Sequence, residues 1–250
     1  MRCVRDGREM DLMVVAADAM RQDAARLQGI AQNLSNALTP GYKKQVASTQ
    51  PFSAQFDAAS AAQQFQRASA PLQQMQLDPT AGTLRVTGSG SDVAIDGEGF
   101  FELAHPSGPV YSRRGDFHVD SGGRLVGAQA LPVLGAGGEI RLTGEPFGIS
   151  GNGDVTQGGA VVGKLRVVRL ARAELLEPVG GGVYALGGAT LEDAAVVPRV
   201  RIGYQENSNV DTAREMVGMT ETVRHFESLQ KLMQGYDEVL EKSIRKLGEF

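Results

Sequence analysis

Cysteine is almost absent from this chain, since Cys3 is the only one among its 250 residues. A single cysteine excludes an intramolecular disulfide framework and any metal site built from several thiolates. Long apolar runs are also missing, so no segment is predicted to span a membrane. The apolar stretch MVVAA near the start is too short for a cleavable secretion signal.

A positive charge excess is lacking as well. The formal net charge is −4 and the sequence pI is about 5.5, so nucleic acid is not an expected partner. The sequence contains no Walker A loop, no G-x-S-x-G elbow, no H-E-x-x-H pair and no dinucleotide fingerprint. These common cofactor-binding and catalytic motifs are therefore excluded, and we predict no cofactor. A hydrophobic content of 42% is enough for a packed core.

Proline and glycine are unevenly distributed, and they divide the chain into parts. No proline precedes Pro40 or follows Pro198, whereas most of the 32 glycines lie between Gly82 and Gly203. Both ends can therefore be helical and the middle cannot. We predict a candidate start-site extension at 1–9, an N-terminal helix and turn at 10–44, a connector at 45–81, a central β domain at 82–203 and a C-terminal helix at 204–250.

Apolar residues recur at steps of three and four in both terminal segments, which is the spacing of a coiled-coil seam. The N-terminal seam consists of Met13, Ala17, Met20, Ala24, Leu27, Ala31, Leu34 and Leu38, and the C-terminal seam of Met216, Met219, Val223, Phe226, Leu229, Met233, Tyr236, Leu240, Ile244 and Leu247. The predicted fold class is α+β, with long N- and C-terminal α-helices forming a coiled-coil-like stem around a central all-β domain. A helical hairpin packed on that domain would show the same periodicity.

Short strand patterns fill the centre. Segments such as DVAID, GFFEL, PVYS, KLRVVRL, GVYAL and PRVRI are separated by glycine, proline, asparagine or serine turns, as in a β sandwich or barrel. The clearest hairpin is DFHVD, then SGG, then RLV, because Ser-Gly-Gly supplies positions with positive φ.

The same hairpin suggests a rival function. Strand alternation places Asp116, His118 and Asp120 on one face, where three such side chains could bind a metal ion. A solvent-facing strand shows the same pattern more often. The rival hypothesis is a β-domain enzyme, or a metal- or carbohydrate-binding module, whose helices only dimerise. A further alternative is a coiled-coil adaptor.

A specific stop signal follows the first helical pattern. Pro40 disfavours the helical conformation of Thr39, and Pro40 and Gly41 fit the two central positions of a type II turn. Tyr42 can then fold back as an anchor.

Three ordered motifs resemble a known family. AQNLSNALTPGYKK resembles the N-terminal signature of bacterial flagellar rod and hook proteins, and SDVAIDGEGFFEL with YSRRGDFHVDSGGRLV resembles their central β motif. GYQENSNVDTAREMVGMTETVRHFESLQKLMQ resembles their C-terminal signature. The similarity covers residues 10–44, 82–135 and 161–250. The short connector, which lacks a Gly-Thr-Gly-Val motif, favours the proximal-rod members, and the distal-rod members are the alternative.

The resemblance implies a non-enzymatic, self-assembling axial subunit of the flagellar basal-body rod. Its partners would be copies of itself, other rod and hook proteins, and the flagellar type III export apparatus. It would lie in the rod within the periplasmic space and be exported without a cleaved signal. The implied assembly interface comprises Asn33, Leu34, Asn36, Pro40, Gly41 and Tyr42 on one surface, and Asn207, Ser208, Asn209, Val210, Met216, Met219, Phe226 and Lys231 on the other.

Overall fold

A computed structural model describes residues 5–47, 75–143, 146–192 and 199–247. The chain divides into two compact units. The helical unit includes the chain up to Gln32 and again from Thr212 onward, and the β unit consists of Asn33–Val46 and Gln76–Asp211. Most of the predicted connector, residues 48–74, lies outside the described residues.

Two long helices are described, α1 (Arg5–Ser35) and α2 (Thr212–Leu247). Neither contains proline. Glu215 lies in the first turn of α2, and Arg245 and Lys246 lie in its last turn, so these charges complement the helix dipole. Over the residues that the structure describes, neither helix has an apolar stretch long enough to cross a membrane.

Antiparallel strands build the β unit. The largest sheet has the order β14-β5-β6-β17-β16, formed by β5 (Phe100–His105), β6 (Gly108–Ser112), β14 (Val167–Val168), β16 (Glu177–Gly180) and β17 (Val183–Ala185). A three-stranded sheet contains β11 (Phe147–Ile149), β12 (Asp154–Gln157) and β13 (Ala160–Lys164) in that order.

The remaining strands form two-stranded sheets. The pairs are β1 (Gln45–Ala47) with β2 (Met75–Leu77), β3 (Leu84–Val86) with β20 (Tyr204–Glu206), β4 (Val93–Ile95) with β19 (Val200–Ile202), β7 (His118–Val119) with β8 (Leu125–Val126), β9 (Leu134–Gly135) with β10 (Gly138–Glu139), and β15 (Leu170–Ala171) with β18 (Thr190–Leu191). Short 3₁₀ helices occur at Ala128–Ala130 and Ala173–Leu175. The predicted hairpin is confirmed, since His118 pairs with Val126.

Two apolar clusters form the core of the β unit. The larger one contains Phe101 and Phe117, whose rings meet edge to face with centroids 5.0 Å apart. The smaller one contains Phe100, Tyr111 and Tyr184. Fully buried aromatic rings of this size contribute much of the apolar area that stabilises a domain.

The predicted fold class is wrong in its coiled-coil-like stem. The described chain has one helix at each end of a mostly β domain, and the two helices do not form the predicted stem. Parts of both predicted seams also miss the buried faces. Ala24 and Ala31 are exposed, whereas Ala16, Asp23 and Ile30, each one position earlier than a predicted seam alanine, are buried. The predicted alanines of the N-terminal seam therefore lie one residue away from the face that is buried.

The C-terminal seam departs from the prediction in its first turns. Met216 and Met219 are exposed, and Gly218 and Thr222 lie on the more buried side instead. Further along, Phe226 and Leu229 are half-buried as predicted. The side chains of Leu240, Ile244 and Leu247 lie outside the described set. Leu38 lies beyond the end of α1 and is almost fully exposed.

Candidate functional site

Three segments that are far apart in sequence meet at one buried ionic group, which we call the junction cluster: Lys43, Arg113 and Glu206. Lys43 follows the Thr-Pro-Gly turn, Arg113 follows β6, and Glu206 ends β20. Each residue comes from a different one of the three sequence motifs. All three side chains are at most 5% exposed.

The Glu206 carboxylate is the centre of this cluster. Its Oε1 lies 2.6 Å from Lys43 Nζ, and its Oε2 lies 2.7 Å from Arg113 Nε. The backbone amide of Gly82 donates a further hydrogen bond to Oε1 at 2.9 Å. One carboxylate therefore binds two cations and one amide, and a buried charge requires such partners.

Backbone carbonyls accept the remaining hydrogen bonds of the two cations. Lys43 Nζ donates to the Thr80 carbonyl at 2.6 Å, and the Arg113 guanidinium donates to the carbonyls of Gly99 and Gly97 at 2.6 and 2.8 Å. These dipoles offset the single positive charge that the cluster carries in excess. Burial nevertheless lowers the pKa of Lys43; the Glu206 carboxylate opposes this shift, and the neighbouring Arg113 adds to it.

Asn33 ties the end of α1 to the segment after it. Its side-chain oxygen accepts hydrogen bonds from the Gln45 amide at 2.8 Å and from the Tyr42 hydroxyl at 3.1 Å. Its side-chain nitrogen donates to the Gln45 carbonyl at 2.8 Å. Asn33 is only 1% exposed, so its amide is used within the chain.

The predicted type II turn is confirmed. Tyr42 N donates to the Thr39 carbonyl at 3.3 Å, and Gly41 has φ +67°. A Cβ at Gly41 would lie 2.6 Å from the backbone nitrogen of Arg114, and the Gly41 amide donates to the Glu206 carbonyl at 2.7 Å. Only glycine combines this conformation with so close an approach.

Asn209, in the segment that precedes α2, bonds to the Thr39–Tyr42 turn and to the residues that follow it. Its side-chain oxygen accepts from the Lys44 amide at 2.7 Å, and its side-chain nitrogen donates to the carbonyls of Asp78 and Thr80 at 3.0 and 3.1 Å. Its own amide donates to the Tyr42 carbonyl at 3.3 Å. The segment after α1 is therefore bonded directly to the segment before α2.

The structure distributes the predicted assembly residues between the two units. In the β unit it brings together Asn33, Gly41, Tyr42 and Asn209, while Leu34, Asn36, Pro40, Asn207, Ser208 and Val210 are half-buried there. Met216, Met219 and Lys231 are exposed on α2, and Phe226 is half-buried on it. Sequence reasoning missed the buried Lys43, Arg113, Tyr184 and Glu206.

The two carboxylates of the rival metal site are each bound by an arginine. Arg114 contacts Asp116 with Nε 3.0 Å from Oδ1, and Arg124 contacts Asp120 with Nε 2.9 Å from Oδ2. His118 is exposed. Within the described ranges, no three histidine, cysteine or acidic side chains come together as a candidate metal-binding group.

Two family models match the central and the C-terminal part of the chain. Residues 201–246 match the family described as flagellar basal body rod FlgEFG protein C-terminal, and residues 94–157 match the flagellar hook protein FlgE/F/G D1 domain. The first range contains Glu206, Asn209 and most of α2. The second contains Arg113 and the confirmed hairpin.

Similar whole proteins carry rod-protein names. The flagellar basal-body rod protein FlgF of Caulobacter vibrioides is 30% identical over 68% of this chain and 71% of its own length. FlgG of Bacillus subtilis is 28% identical over 90% and 94%, and FlgF of Rhizobium meliloti is 27% identical over 94% and 97%. Proteins named FlgF and proteins named FlgG are thus similar to this chain at nearly the same identity. With this identity and coverage, the chain belongs to the family of flagellar basal-body rod proteins and is a structural subunit of that rod.

Proposed function

We propose that this rod subunit polymerises with copies of itself and with other rod and hook proteins through apolar residues of α2 that its own fold leaves exposed. Met216 and Met219 are 60% and 42% exposed, and Val217 and Leu232 are also exposed. Exposed large apolar residues concentrated on one element mark an interaction surface. This concentration is the observation that carries the proposal.

The hydrogen bonds around the Thr39–Tyr42 turn support the same function in a different way. Asn33, Gly41, Tyr42 and Asn209 use their polar groups inside the β unit, so we assign them the task of joining the segment that follows α1 to the segment that precedes α2. We assign direct contact with neighbouring subunits to Met216, Met219 and Lys231. A helical polymer needs heterologous contacts that do not close on themselves, and an exposed helix face can provide one side of such a contact.

The role we propose is mechanical and involves no catalysis. The acidic residues of the β hairpin support this proposal, because Asp116 and Asp120 are each engaged by an arginine. We further propose a position in the proximal rod, within the periplasmic space, and delivery by the flagellar type III export apparatus without a cleaved signal. The short connector without a Gly-Thr-Gly-Val motif supports the proximal position.

The assembly surface is tested by replacing Met216 and Met219 together with glutamine, which keeps helix propensity but removes apolar area. We expect unchanged circular dichroism and thermal unfolding of the purified chain, with loss of incorporation into basal bodies and loss of swimming. Glu221→Gln, at an exposed position of the same helix, is the matched control and should swim normally. A double variant that assembles like the wild type would refute the assigned surface.

The position in the rod needs a separate experiment. The gene is expressed in one strain that lacks its proximal-rod subunit and in another that lacks its distal-rod subunit. We expect swimming to return only in the first strain. Restoration only in the second would assign the chain to the distal rod and leave the assembly surface unaffected.

A further inference from the structure

One side chain on the buried face of α1 differs in kind from its neighbours. Ala16 and Ile30 are buried there, and between them, seven residues from each, lies Asp23, which is 9% exposed. Burying a carboxylate is costly unless a partner binds it. Asp23 therefore requires a specific polar partner, whereas an alanine at this position would not.

His225 of α2 is that partner. Its Nδ1 lies 2.6 Å from Asp23 Oδ2. The Asp23 side chain is 12% exposed and that of His225 is 58% exposed, so the pair is closed on the aspartate side and open to solvent on the histidine side. A hydrogen bond to a charged group in such a setting is stronger than one between two solvated side chains.

A second contact defines the direction of the pairing. Gly218 of α2 lies against Ile30, because a Cβ at Gly218 would be 3.7 Å from Ile30 Cδ1. From Asp23 to Ile30 the residue number rises by seven on α1, and from His225 to Gly218 it falls by seven on α2. The two helices are thus antiparallel in the helical unit.

The apolar contact alone is undemanding. Ile30 Cδ1 lies 3.7 Å from the Cβ position of Gly218, so the partner at this point is a residue without a side chain. Thr222 is buried one turn further along α2 and uses its hydroxyl on the Gly218 carbonyl of its own helix. Sliding α2 by one turn would leave the Asp23 carboxylate buried without His225.

We propose that the Asp23–His225 pair determines the register of α1 on α2 within one chain. Apolar contact brings the faces together, and the polar pair selects a single alignment among those that contact permits. A single buried polar residue is known to fix the register of paired helices in this way. Asp23 is therefore a positioning residue for the helical unit.

A distance measurement on the full chain tests this proposal directly. Spin labels are placed at Gln28→Cys and Glu221→Cys, both exposed positions, in a Cys3→Ser background. We expect one sharp distance in the wild type and in Asp23→Asn, which still accepts a hydrogen bond from His225. Asp23→Leu should broaden the distribution or shift it by about 5 Å, the rise of one helical turn.

Two further variants keep the test decisive. Asp18→Ala removes an acid that pairs with Arg21 inside α1, and it should leave the distance unchanged. His225→Leu changes the more exposed partner, so it gives the result if Asp23→Leu does not fold. A sharp wild-type distance in either leucine variant would overturn the proposal.

Exchanging the partners distinguishes pairing within a chain from pairing between chains. Asp23→His and His225→Asp should each abolish swimming, and the double variant should restore it. Two plasmids carrying one single variant each should not restore swimming, because each chain then has two like partners. Restoration by the two plasmids together would overturn pairing within a chain, and the spin-label distances remain informative whatever the role in motility.

Discussion

The backbone amide of Lys43 donates a hydrogen bond to the hydroxyl of Tyr184, 2.6 Å away and 141 residues further along the chain. Tyr184 is 1% exposed, and burial raises the pKa of its hydroxyl. This bond satisfies a backbone donor at a position where no regular strand partner does so. It also places the side chain of Lys43 beside Glu206.

Removal of this hydroxyl should destabilise the β unit. We expect Tyr184→Phe to lower the free energy of unfolding by about 1–3 kcal/mol, because the buried Lys43 amide loses its acceptor. Tyr111→Phe is the matched control, since the Tyr111 hydroxyl is buried with no hydrogen-bond partner in the described structure. Urea unfolding measures both variants, and equal losses would contradict the assigned role of the Tyr184 bond.

The members of the junction cluster should differ in how much they contribute to the free energy of unfolding. Glu206→Gln leaves Lys43 and Arg113 buried together without an anion, and we expect a loss of about 3–5 kcal/mol. Lys43→Met leaves the Arg113–Glu206 pair balanced, so a smaller loss of about 1–3 kcal/mol is expected. Denaturant midpoints at neutral pH give the order, and a Lys43→Met loss as large as that of Glu206→Gln would disprove it.

Lys43 should make stability depend on pH in a defined direction. Because burial lowers its pKa in the folded state, the unfolded chain binds this proton more tightly. Stability should therefore rise with pH between the lowered folded pKa and the unfolded value of 10.5. The difference in unfolding free energy between wild type and Lys43→Met should rise across this window, because the shared groups cancel. A difference that is constant or falls would contradict the lowered pKa of Lys43.

Gly41 should tolerate substitution less well than another glycine of similar conformation. Gly41→Ala combines a positive φ with a clash against the backbone of Arg113 and Arg114, whereas Gly88 has φ +74° and open space around it. We expect about 1 kcal/mol of strain for Gly88→Ala and clearly more for Gly41→Ala. Thermal unfolding of both variants provides the comparison, and equal shifts would mean that the close approach is not limiting.

Local signals predicted local structure well. The turn at Pro40 and Gly41 and the hairpin around Ser-Gly-Gly are confirmed, because proline and glycine restrict or permit specific φ values without reference to the rest of the chain. Many strands of the central part could also be predicted, because turns of glycine, proline, asparagine and serine separate them. Strand β20 was not predicted, since Tyr204–Glu206 shows no apolar alternation and pairs with residues about 120 positions away.

Periodicity alone could not place the buried faces of the helices. Ala17, Ala24 and Ala31 recur at steps of seven, as a seam requires. The buried residues Ala16, Asp23 and Ile30 have the same spacing but lie one position earlier. Asp23 marks the buried face, but only its contact with His225, 202 residues away, identifies it as buried.

A search for apolar patterns cannot find buried charged residues. The junction cluster was missed for this reason, although all three of its members lie in the three sequence motifs.

The separation of Lys43 from Glu206 has a consequence for the order of folding. The carboxylate that binds Lys43 and Arg113 lies 163 residues after the first of them and 93 after the second. Contacts between such distant residues form late and slowly, because a long loop must close first. The β unit therefore cannot complete its interior until the chain through Glu206 is available, and a nascent chain that ends before this residue would hold both cations without their anion.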